Sequence, residues 1–252
     1  MAAARPRTTV RTAVVWDVLR EALGRIDGGA GSGTSPLRVV DAGGGSGGFA
    51  VPLAELGHDV TVVDPSPDSL AALERRAAET GTAARIVAVQ GDVAGLAEVV
   101  PAASADLVLC HSVLELVDDP AAALQAVAQV LRPGGVASIL VANRVAAVVA
   151  RVAAGRIAEA RRLLDDSTGS AGDGDPLLRR FAVDELHALA VAAGLRPQLT
   201  HGVRVFADVV PPALVDGDPD AARELLELEH AAADRADFLA VATQLHLLAD
   251  RG

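Results

Sequence analysis

The stretch that most constrains this chain is VVDAGGGSGGFAVPLAELGHDVTVVDP, which occupies Val39–Pro65. It predicts a buried strand over Leu37–Asp41, a glycine-rich turn, a helix over about Phe49–Leu56 and a second strand over Asp59–Asp64. Glycines let the backbone approach a ligand closely, and the free N–H groups of a helix start face whatever binds there. An acid at the end of the second strand can accept hydrogen bonds from ribose hydroxyls. The pattern therefore indicates a site for a cofactor that contains a nucleoside.

The spacing of the glycines fits two cofactor motifs. Gly43, Gly45 and Gly48 satisfy G-x-G-x-x-G, the dinucleotide-binding pattern. The same tract also reads D-x-G-x-G-x-G through Asp41, Gly43, Gly45 and Gly47, which is the first motif of class I S-adenosylmethionine (SAM) methyltransferases. The glycines alone leave both registers open, so the rest of the chain must decide.

Length and composition narrow the class of protein. A chain of 252 residues with 51% hydrophobic residues can form one large α/β domain, or a core with a small appended region. No apolar run reaches the roughly 18 residues of a membrane helix, and no signal peptide is recognisable, so we expect a cytoplasmic protein without membrane partners. The single cysteine, Cys110, argues against a disulfide or a cysteine-rich metal site. A net charge of −11 repels nucleic acid at long range, although a local basic cleft can still bind it.

Strands alternate with helices along the chain, which predicts a parallel, doubly wound sheet. An apolar stripe predicts a first helix over Thr9–Ile26, followed by a glycine-rich linker over Gly28–Ser35. The acidic, glycine-containing tract Asp165–Asp175 is expected to be a mobile loop. Further helices are predicted over Pro67–Glu79, Pro120–Leu131, Arg144–Leu164 (in two pieces around Gly155), Ala182–Ala193 and Asp218–His230, and further strands over Arg85–Gln90, Ala105–His111, Val136–Ala142, within Leu195–Val210 and over Leu239–Leu248.

Candidate functional residues follow the predicted strands at their carboxyl ends. In a doubly wound sheet the ligand crevice lies at these ends. The residues placed there are Gly43–Gly48, Asp64, Gly91 with Asp92, His111 and Asn143.

The order of these motifs resembles class I SAM-dependent methyltransferases over about residues 37–142. The Leu131–Gly135 turn, LRPGG, carries most of the discrimination, because those enzymes place it before the fifth strand. A narrower resemblance, to the bacterial tRNA 5-carboxymethoxyuridine methyltransferases, rests on VRTAVVWDVL, VVDAGGGSG, CHSVLELVDDP, VLRPGGVASILVAN, GVRVF and LLELE. It implies an α/β fold with a doubly wound, mostly parallel, seven-stranded Rossmann-like sheet and a helical lid. The implied division is an N-terminal helix and linker (1–36), a SAM-binding core (37–143) and a substrate lid that completes the sheet (144–252).

The resemblance also implies a role for each matching residue. Arg11 is expected to hold the methionine carboxylate of SAM, a task that suits a guanidinium. Asp64 is expected to hold the ribose, Asp92 to receive the exocyclic amine of the adenine, and His111 to lie beside the sulfonium, while Glu115 shapes the substrate mouth. The implied cofactor-binding set is Arg11, Asp41, Gly43, Gly44, Gly45, Gly47, Asp64, Gln90, Gly91, Asp92 and His111.

The implied reaction esterifies the carboxylate of a modified uridine in the tRNA anticodon loop. An anionic acceptor needs little help from a base, so positioning and desolvation should supply most of the rate. A cation should hold the acceptor carboxylate, and the candidates are Arg204 and Arg144, unless each only pairs with a surface acid. His111 would serve as general base if the acceptor were a hydroxyl, or could merely terminate its strand. The other histidines lack metal-ligand spacing, so no metal is expected.

Two departures from the family keep other functions open. Only ten residues precede Arg11, so the start is expected to be shortened, and Asp165–Asp175 is acidic where those enzymes carry a lysine-rich stretch. Aromatic residues, on which RNA bases usually stack, make up only 2% of the chain. A methyltransferase for a small carboxylate or hydroxyl metabolite is the main alternative. A SAM-binding protein without transferase activity and a nicotinamide-dependent oxidoreductase are weaker ones.

Overall fold

The computed structural model describes residues 6–27 and 35–252. The strands in this part of the chain are β1 (Arg38–Ala42), β2 (Asp59–Asp64), β3 (Ile86–Gln90), β4 (Ala105–His111), β5 (Leu131–Ala142), β6 (Leu195–Val203) and β7 (Gln244–Arg251). They form one seven-stranded, mostly parallel sheet in the order β3-β2-β1-β4-β5-β7-β6. The parallel, doubly wound sheet predicted from the alternation of elements is thereby confirmed.

Helices connect these strands. The described helices are α1 (Pro6–Asp27), α2 (Ala50–Glu55), α3 (Pro67–Thr80), α4 (Leu96–Val99), α5 (Pro120–Val130), α6 (Arg144–Ala153), α7 (Ile157–Asp165), α8 (Val183–Ala192), α9 (Pro212–Asp216), α10 (Pro219–Ala233) and α11 (Ala236–Leu239). None of them is long and apolar enough to cross a membrane.

Several helices begin at a polar residue followed by proline. Ser66, Asp119 and Asp218 each accept hydrogen bonds from backbone N–H groups of the first turn of α3, α5 and α10. Proline suits the first helical position because its fixed φ is already helical and its missing N–H would have no partner there. These local signals explain why the predicted starts of the three helices agree with the structure.

The central strands align their carboxyl ends. β1 pairs in parallel with β2 and β4, with Ala42 opposite Val63 on one side and Cys110 on the other. β2 pairs in parallel with β3, with Asp64 opposite Gln90. The backbone that follows these strands is therefore brought to one edge of the sheet.

The chain divides into two compact units. The glycine-loop unit comprises Leu23–Ile139, His187–Gln198 and Leu248–Gly252, and the arginine unit comprises the chain up to Ala22, Leu140–Leu186 and Leu199–Leu247. The buried side chains of β1, β2 and β4 lie in the first, and the second contains a cluster of Val10, Ala207, Val215, Ala222 and Leu225. The predicted division at residues 36 and 143 and the helical lid stay predictions.

The ends of some elements differ from the sequence predictions. The closing strand begins at Gln244 rather than Leu239, because Ala236–Leu239 forms the short helix α11. A four-residue helix leaves no periodicity that could be recognised. The break between α6 and α7 at Gly155, where φ is +73°, is confirmed. Residues 28–34 of the predicted linker lie outside the described residues.

The acidic tract after α7 is held by hydrogen bonds, so the expected mobile loop is not supported. Arg180 donates to both carboxylate oxygens of Asp175, at 2.7 and 2.9 Å. Burial alone would raise the pKa of Asp175, but the bonds from Arg180, Ala171 and Leu177 outweigh it and lower the pKa to about 2. The composition of the tract does not predict that it is held in place, because Arg180, the partner of Asp175, lies outside the tract.

Candidate cofactor site

The glycine loop after β1 has the backbone that its sequence suggests. Gly43, Gly45 and Gly47 have φ values of +76°, +54° and +80°, in the left-handed region that favours glycine. The Gly43 N–H donates to the Val63 carbonyl at 2.7 Å, which ties the loop to the end of β2. The loop between β1 and α2 is therefore held against the carboxyl end of β2.

Gly47 and Gly48 distinguish the two possible glycine registers. A Cβ on Gly47 would overlap the buried side chain of Leu73 on α3, and its positive φ would strain any other residue. A Cβ on Gly48 would meet nothing within 4 Å. The packing requires glycine at the third position of D-x-G-x-G-x-G and not at the third position of G-x-G-x-x-G.

A cavity of about 490 Å³ lies against this loop within the glycine-loop unit. Its wall is mainly apolar, with acids from several strand ends and from the start of α5. The lining residues are Gly43, Val63, Asp64, Pro65, Asp92, Val93, Ala94, Ser112, Val113, Leu116, Val117, Asp118 and Asp119. A concave apolar site with a few fixed polar groups is typical of small-molecule binding.

Asp64 is the acid at the end of β2, and its side chain is fixed from both directions. Its Oδ2 accepts from the Gly45 N–H at 2.8 Å, and its Oδ1 accepts from the Ser66 N–H at 2.9 Å. The residue is only 8% exposed, yet it contributes to the cavity wall. Each carboxylate oxygen has further lone pairs, so Asp64 can hold the loop and accept from a ligand hydroxyl together.

Asp41 is a buried acid at the other end of the glycine loop. Its Oδ2 is buried and has no hydrogen-bond partner among the described residues, and a Cβ on Gly44 would come within 2.5 Å of that oxygen. Burial, with a smaller contribution from the charge of Asp64, raises the pKa of Asp41 to about 7. A buried acceptor without a donor is costly, which indicates that a bound donor belongs here.

His111 ends β4 as a neutral imidazole. Its Nε2 lies 2.8 Å from the Ser138 Oγ, and its ring packs edge-on against Phe49 at 4.7 Å. Burial lowers the pKa of His111 to about 3. The next residue, Ser112, has a φ of +56° and lines the cavity, and such strain in a residue other than glycine is concentrated at functional sites.

Known proteins match the part of the chain that builds this cavity. Residues 40–139 match the family Methyltransf_11, described as a methyltransferase domain. A SAM-dependent methyltransferase from Mesorhizobium loti superposes with a TM-score of 0.62 at 22% identity, over 94% of this chain and 97% of that chain. Residues 40–139 therefore match a methyltransferase domain, and the chain has the fold of SAM-dependent methyltransferases.

Two curated relatives are similar in sequence but differ in acceptor. The tRNA 5-carboxymethoxyuridine methyltransferase of Escherichia coli K12 is 36% identical over 137 residues, which is 53% of this chain and 49% of the relative. A ubiquinone biosynthesis O-methyltransferase of Paracidovorax citrulli is 41% identical over 116 residues, 45% of this chain and 46% of the relative. The chain thus spans about half the length of the curated relatives it matches.

The residues of the methyltransferase domain fit SAM as its cofactor. Asp41 offers an acceptor without a donor, the glycine loop leaves no room for side chains, and Asp64 lies in the cavity wall. Asp92 also lines the cavity and accepts from the Gly95 N–H at 2.7 Å. Gln90 is exposed and donates to the Pro65 carbonyl at 3.4 Å.

Gly91 lies next to this wall, because its N–H donates to the Asp64 carbonyl at 3.2 Å. It does not itself line the cavity. The cofactor roles predicted for these residues stay predictions.

Arg11 and Arg204 lie in the arginine unit and meet at one carboxylate. The Arg11 guanidinium contacts Asp208 Oδ1 at 2.8 Å, and the Arg204 guanidinium contacts Asp208 Oδ2. Arg204 also donates to the Gln244 Oε1 at 3.3 Å. The sequence pattern singles out both arginines separately and gives no sign of their shared partner.

Arg144 is bound elsewhere in the same unit. Its Nη2 lies 2.7 and 2.6 Å from the two carboxylate oxygens of Glu185 and donates to the Ser167 carbonyl at 3.0 Å. These bonds connect the start of α6 to the start of α8 and to the loop after α7. Arg144 thus has a structural role in the described contacts, and its role as an acceptor clamp stays a prediction.

Some residues of the site were missed or misplaced by sequence reasoning. Ser112, Val113 and Leu116 line the cavity, but the motif CHSVLELVDDP that contains them gave no sign of a strained Ser112. Glu115 was expected to shape the substrate mouth, yet it is only 2% exposed. Among the described residues no group of three or more His, Cys, Asp or Glu is placed to hold a metal ion.

Proposed function

We propose that this chain is a SAM-dependent methyltransferase that esterifies the carboxylate of a carboxymethoxyuridine in tRNA. The proposal for the cofactor is carried by the glycine loop, whose third required glycine is Gly47, together with the acids Asp41 and Asp64 of the cavity. The proposal for the acceptor is supported by the 36% identity with the Escherichia coli tRNA methyltransferase.

The proposed methyl transfer requires little from the protein beyond positioning SAM and the acceptor. Bound SAM supplies an electrophilic methyl group, and the acceptor carboxylate is already a nucleophile. Asp64 would accept from the ribose hydroxyls, and Asp41 from the ammonium of the methionine part. Arg11 would hold the methionine carboxylate. Holding both reactants in line is the main contribution expected of the site.

The state of His111 favours an anionic acceptor over a hydroxyl. With its pKa lowered to about 3, the imidazole is a weak base at neutral pH and would remove a hydroxyl proton inefficiently. A carboxylate has no proton to lose. His111 would then orient groups through its neutral ring and the Ser138 hydroxyl.

A cation must still hold the acceptor carboxylate, and Arg204 is our first candidate. Its backbone has a φ of +60°, a strained conformation for a long side chain. Arg144 is the second candidate, since Glu185 already occupies its Nη2.

Binding of tRNA requires a surface that does not repel phosphate. Asp175 belongs to the acidic tract that argued against tRNA docking, but its side chain is 1% exposed and pairs with Arg180. Arg156 at the N-cap of α7 and Arg161 within α7 are 59% and 84% exposed, and they pair with Glu159 and Asp165. We propose that this part of the arginine unit faces the RNA.

Nucleoside mass spectrometry on tRNA from cells that lack the gene tests the acceptor. The expected result is accumulated carboxymethoxyuridine that gains one methyl group when purified protein and SAM are added back. Unchanged tRNA in the deletion strain, together with no methylation in vitro, contradicts the tRNA assignment.

Replacing Arg204 by Ala tests the clamp in the same assay. The acceptor KM should rise at least tenfold while the affinity for SAM changes little. Arg223→Ala is a matched control, because Arg223 is exposed and pairs only with the exposed Asp220 in the described contacts. Full activity of Arg204→Ala excludes Arg204 as the clamp.

A small carboxylate or hydroxyl metabolite is the second candidate acceptor. It is supported by the net charge of −11 and by the 41% identity with a ubiquinone biosynthesis O-methyltransferase. A screen for release of S-adenosylhomocysteine with small carboxylates and phenols distinguishes it from the tRNA proposal. Turnover with a small molecule and none with tRNA would decide for this candidate.

A further inference from the structure

Arg11, Arg204 and Asp208 form an ion cluster inside the arginine unit. Asp208 presents one carboxylate oxygen to each guanidinium, so a single negative charge serves two positive charges. The side chains of Arg204 and Asp208 are only 21% and 22% exposed, and that of Arg11 is 38% exposed. Taken by themselves these three side chains carry one excess positive charge, and the buried carboxylate of Glu229, which accepts from backbone N–H groups of the same turn, offsets it. The position is partly desolvated, so electrostatic interactions are strengthened there.

The backbone around Arg204 is built to hold this guanidinium in place. Glu229, which is fully buried, accepts from the N–H groups of Val205, Phe206 and Ala207 at 2.9, 2.9 and 2.7 Å. These are the residues between Arg204 and Asp208. These hydrogen bonds hold the turn that gives Arg204 its positive φ. The guanidinium is therefore held by a fixed backbone, unlike that of an arginine in an ion pair between exposed side chains.

Arg204 also has a donor that the protein leaves unused. Its Nε is buried and has no hydrogen-bond partner among the described residues, while Nη1 donates to Gln244 and Nη2 to Asp208. A carboxylate that approached along the edge formed by Nε and Nη2 would satisfy both donors, the bidentate arrangement that suits a guanidinium. Asp208 contacts Nη2 alone and leaves Nε unsatisfied.

We propose that Arg11 and Arg204 form one carboxylate-binding site, and that a ligand carboxylate takes the place of Asp208 in it. Asp208 acts as an internal counter-anion that keeps the two guanidiniums together until the ligand binds. Its own negative charge opposes the ligand that displaces it. This inference rests on the proposed function and revises one part of it: a single carboxylate, from the methionine part of SAM or from the methyl acceptor, contacts both arginines, in place of a separate carboxylate on each.

Asp208→Asn tests the displacement, since the amide keeps the shape of the side chain and removes its charge. The product S-adenosylhomocysteine is titrated calorimetrically against the wild type and this variant, with 5′-methylthioadenosine as a ligand that lacks the carboxylate. If SAM supplies the carboxylate, Asp208→Asn binds S-adenosylhomocysteine at least fivefold more tightly and 5′-methylthioadenosine equally. If the acceptor supplies it, the cofactor affinity is unchanged and the acceptor KM falls at least fivefold.

Asp220→Asn is the matched control, since it removes an exposed carboxylate that pairs with Arg223. Asp208→Ser provides a second variant whose thermal stability is checked, in case the amide disturbs the turn. Weaker binding of both cofactor and acceptor by the folded Asp208 variants, or no change in either, overturns the inference.

Acetate separates this inference from the methyltransferase assignment. The midpoint of thermal unfolding is measured with and without millimolar acetate, and acetate should raise it more for Asp208→Asn than for the wild type or Asp220→Asn. Adding Arg204→Ala should abolish that difference. If the protein binds no SAM but shows this acetate effect, the proposed function is wrong and the carboxylate site is supported. If the protein binds SAM but the Asp208 variants differ from the wild type neither in ligand binding nor in the acetate effect, the carboxylate site is wrong and the proposed function is unaffected.

Discussion

The candidate binding residues of the two units differ in how their charged groups are partnered. In the glycine-loop unit, Asp41 has a buried oxygen without a partner among the described residues. In the arginine unit, Arg11 and Arg204 share Asp208, and Arg144 is bound to Glu185. An acid left without a donor predicts a ligand that brings one, whereas in our proposal Arg11 and Arg204 exchange Asp208 for the ligand and Arg144 keeps Glu185. The difference teaches that a binding site can be either incomplete or internally occupied.

The largest expected effect concerns Asp41. Its pKa is raised to about 7 in the folded protein, so stability present at low pH is lost as the pH rises through about 7. Asp41→Asn should remove that loss and stabilise the ligand-free protein at pH 8 by up to about 4 kcal/mol, with little effect near pH 4. Urea unfolding at the two pH values measures this. Equal stabilisation at both would show that desolvation of the charge is not the cause.

Asp64→Ala should weaken cofactor binding by about 2–3 kcal/mol, or about 30- to 150-fold, because charged hydrogen bonds to the ribose and the anchor of the glycine loop are both removed. The measurement is the Kd for S-adenosylhomocysteine. Asp68→Ala is the control, since Asp68 is an exposed acid in the first turn of α3. An unchanged Kd for Asp64→Ala would remove this acid from the cofactor site.

Arg144→Ala tests the other side of the comparison. Its loss leaves Glu185 and the Ser167 carbonyl without their donor, so we expect the protein to be destabilised by about 1–2 kcal/mol. Denaturant unfolding reports this change. Removing the charge of Asp41 from the glycine-loop unit would then stabilise the protein, whereas removing Arg144 from the arginine unit would destabilise it. Stability equal to that of the wild type would contradict the structural role of Arg144.

The smallest expected effect is a difference in stability between alanine variants of two adjacent glycines. Gly47→Ala should destabilise by about 1–2 kcal/mol because its positive φ and the packing of Leu73 exclude a Cβ, whereas Gly48→Ala should stay within about 0.5 kcal/mol of the wild type. Thermal unfolding of the two variants under identical conditions makes the comparison. Equal losses would show that the register of the loop is not fixed by packing.

The amino-acid sequence by itself determined the parallel sheet and the cavity region. Hydrophobic strands, N-caps followed by proline and the glycine tract are all local signals, since each depends on residues within a few positions of one another. Because parallel strands bring their carboxyl ends to one edge, the linear pattern alone predicts that Asp64 and Asp92 lie together. Both line the cavity.

Only the tertiary structure decided how the charged side chains are paired. Asp208 could be assigned to Arg11, and Glu185 to Arg144, only once segments distant in sequence had packed. The same holds for Gly47, whose requirement comes from Leu73, and for Glu115, which burial removes from the surface. An ion pair or a steric contact depends on positions in space, and the chain brings together residues that its linear pattern leaves far apart.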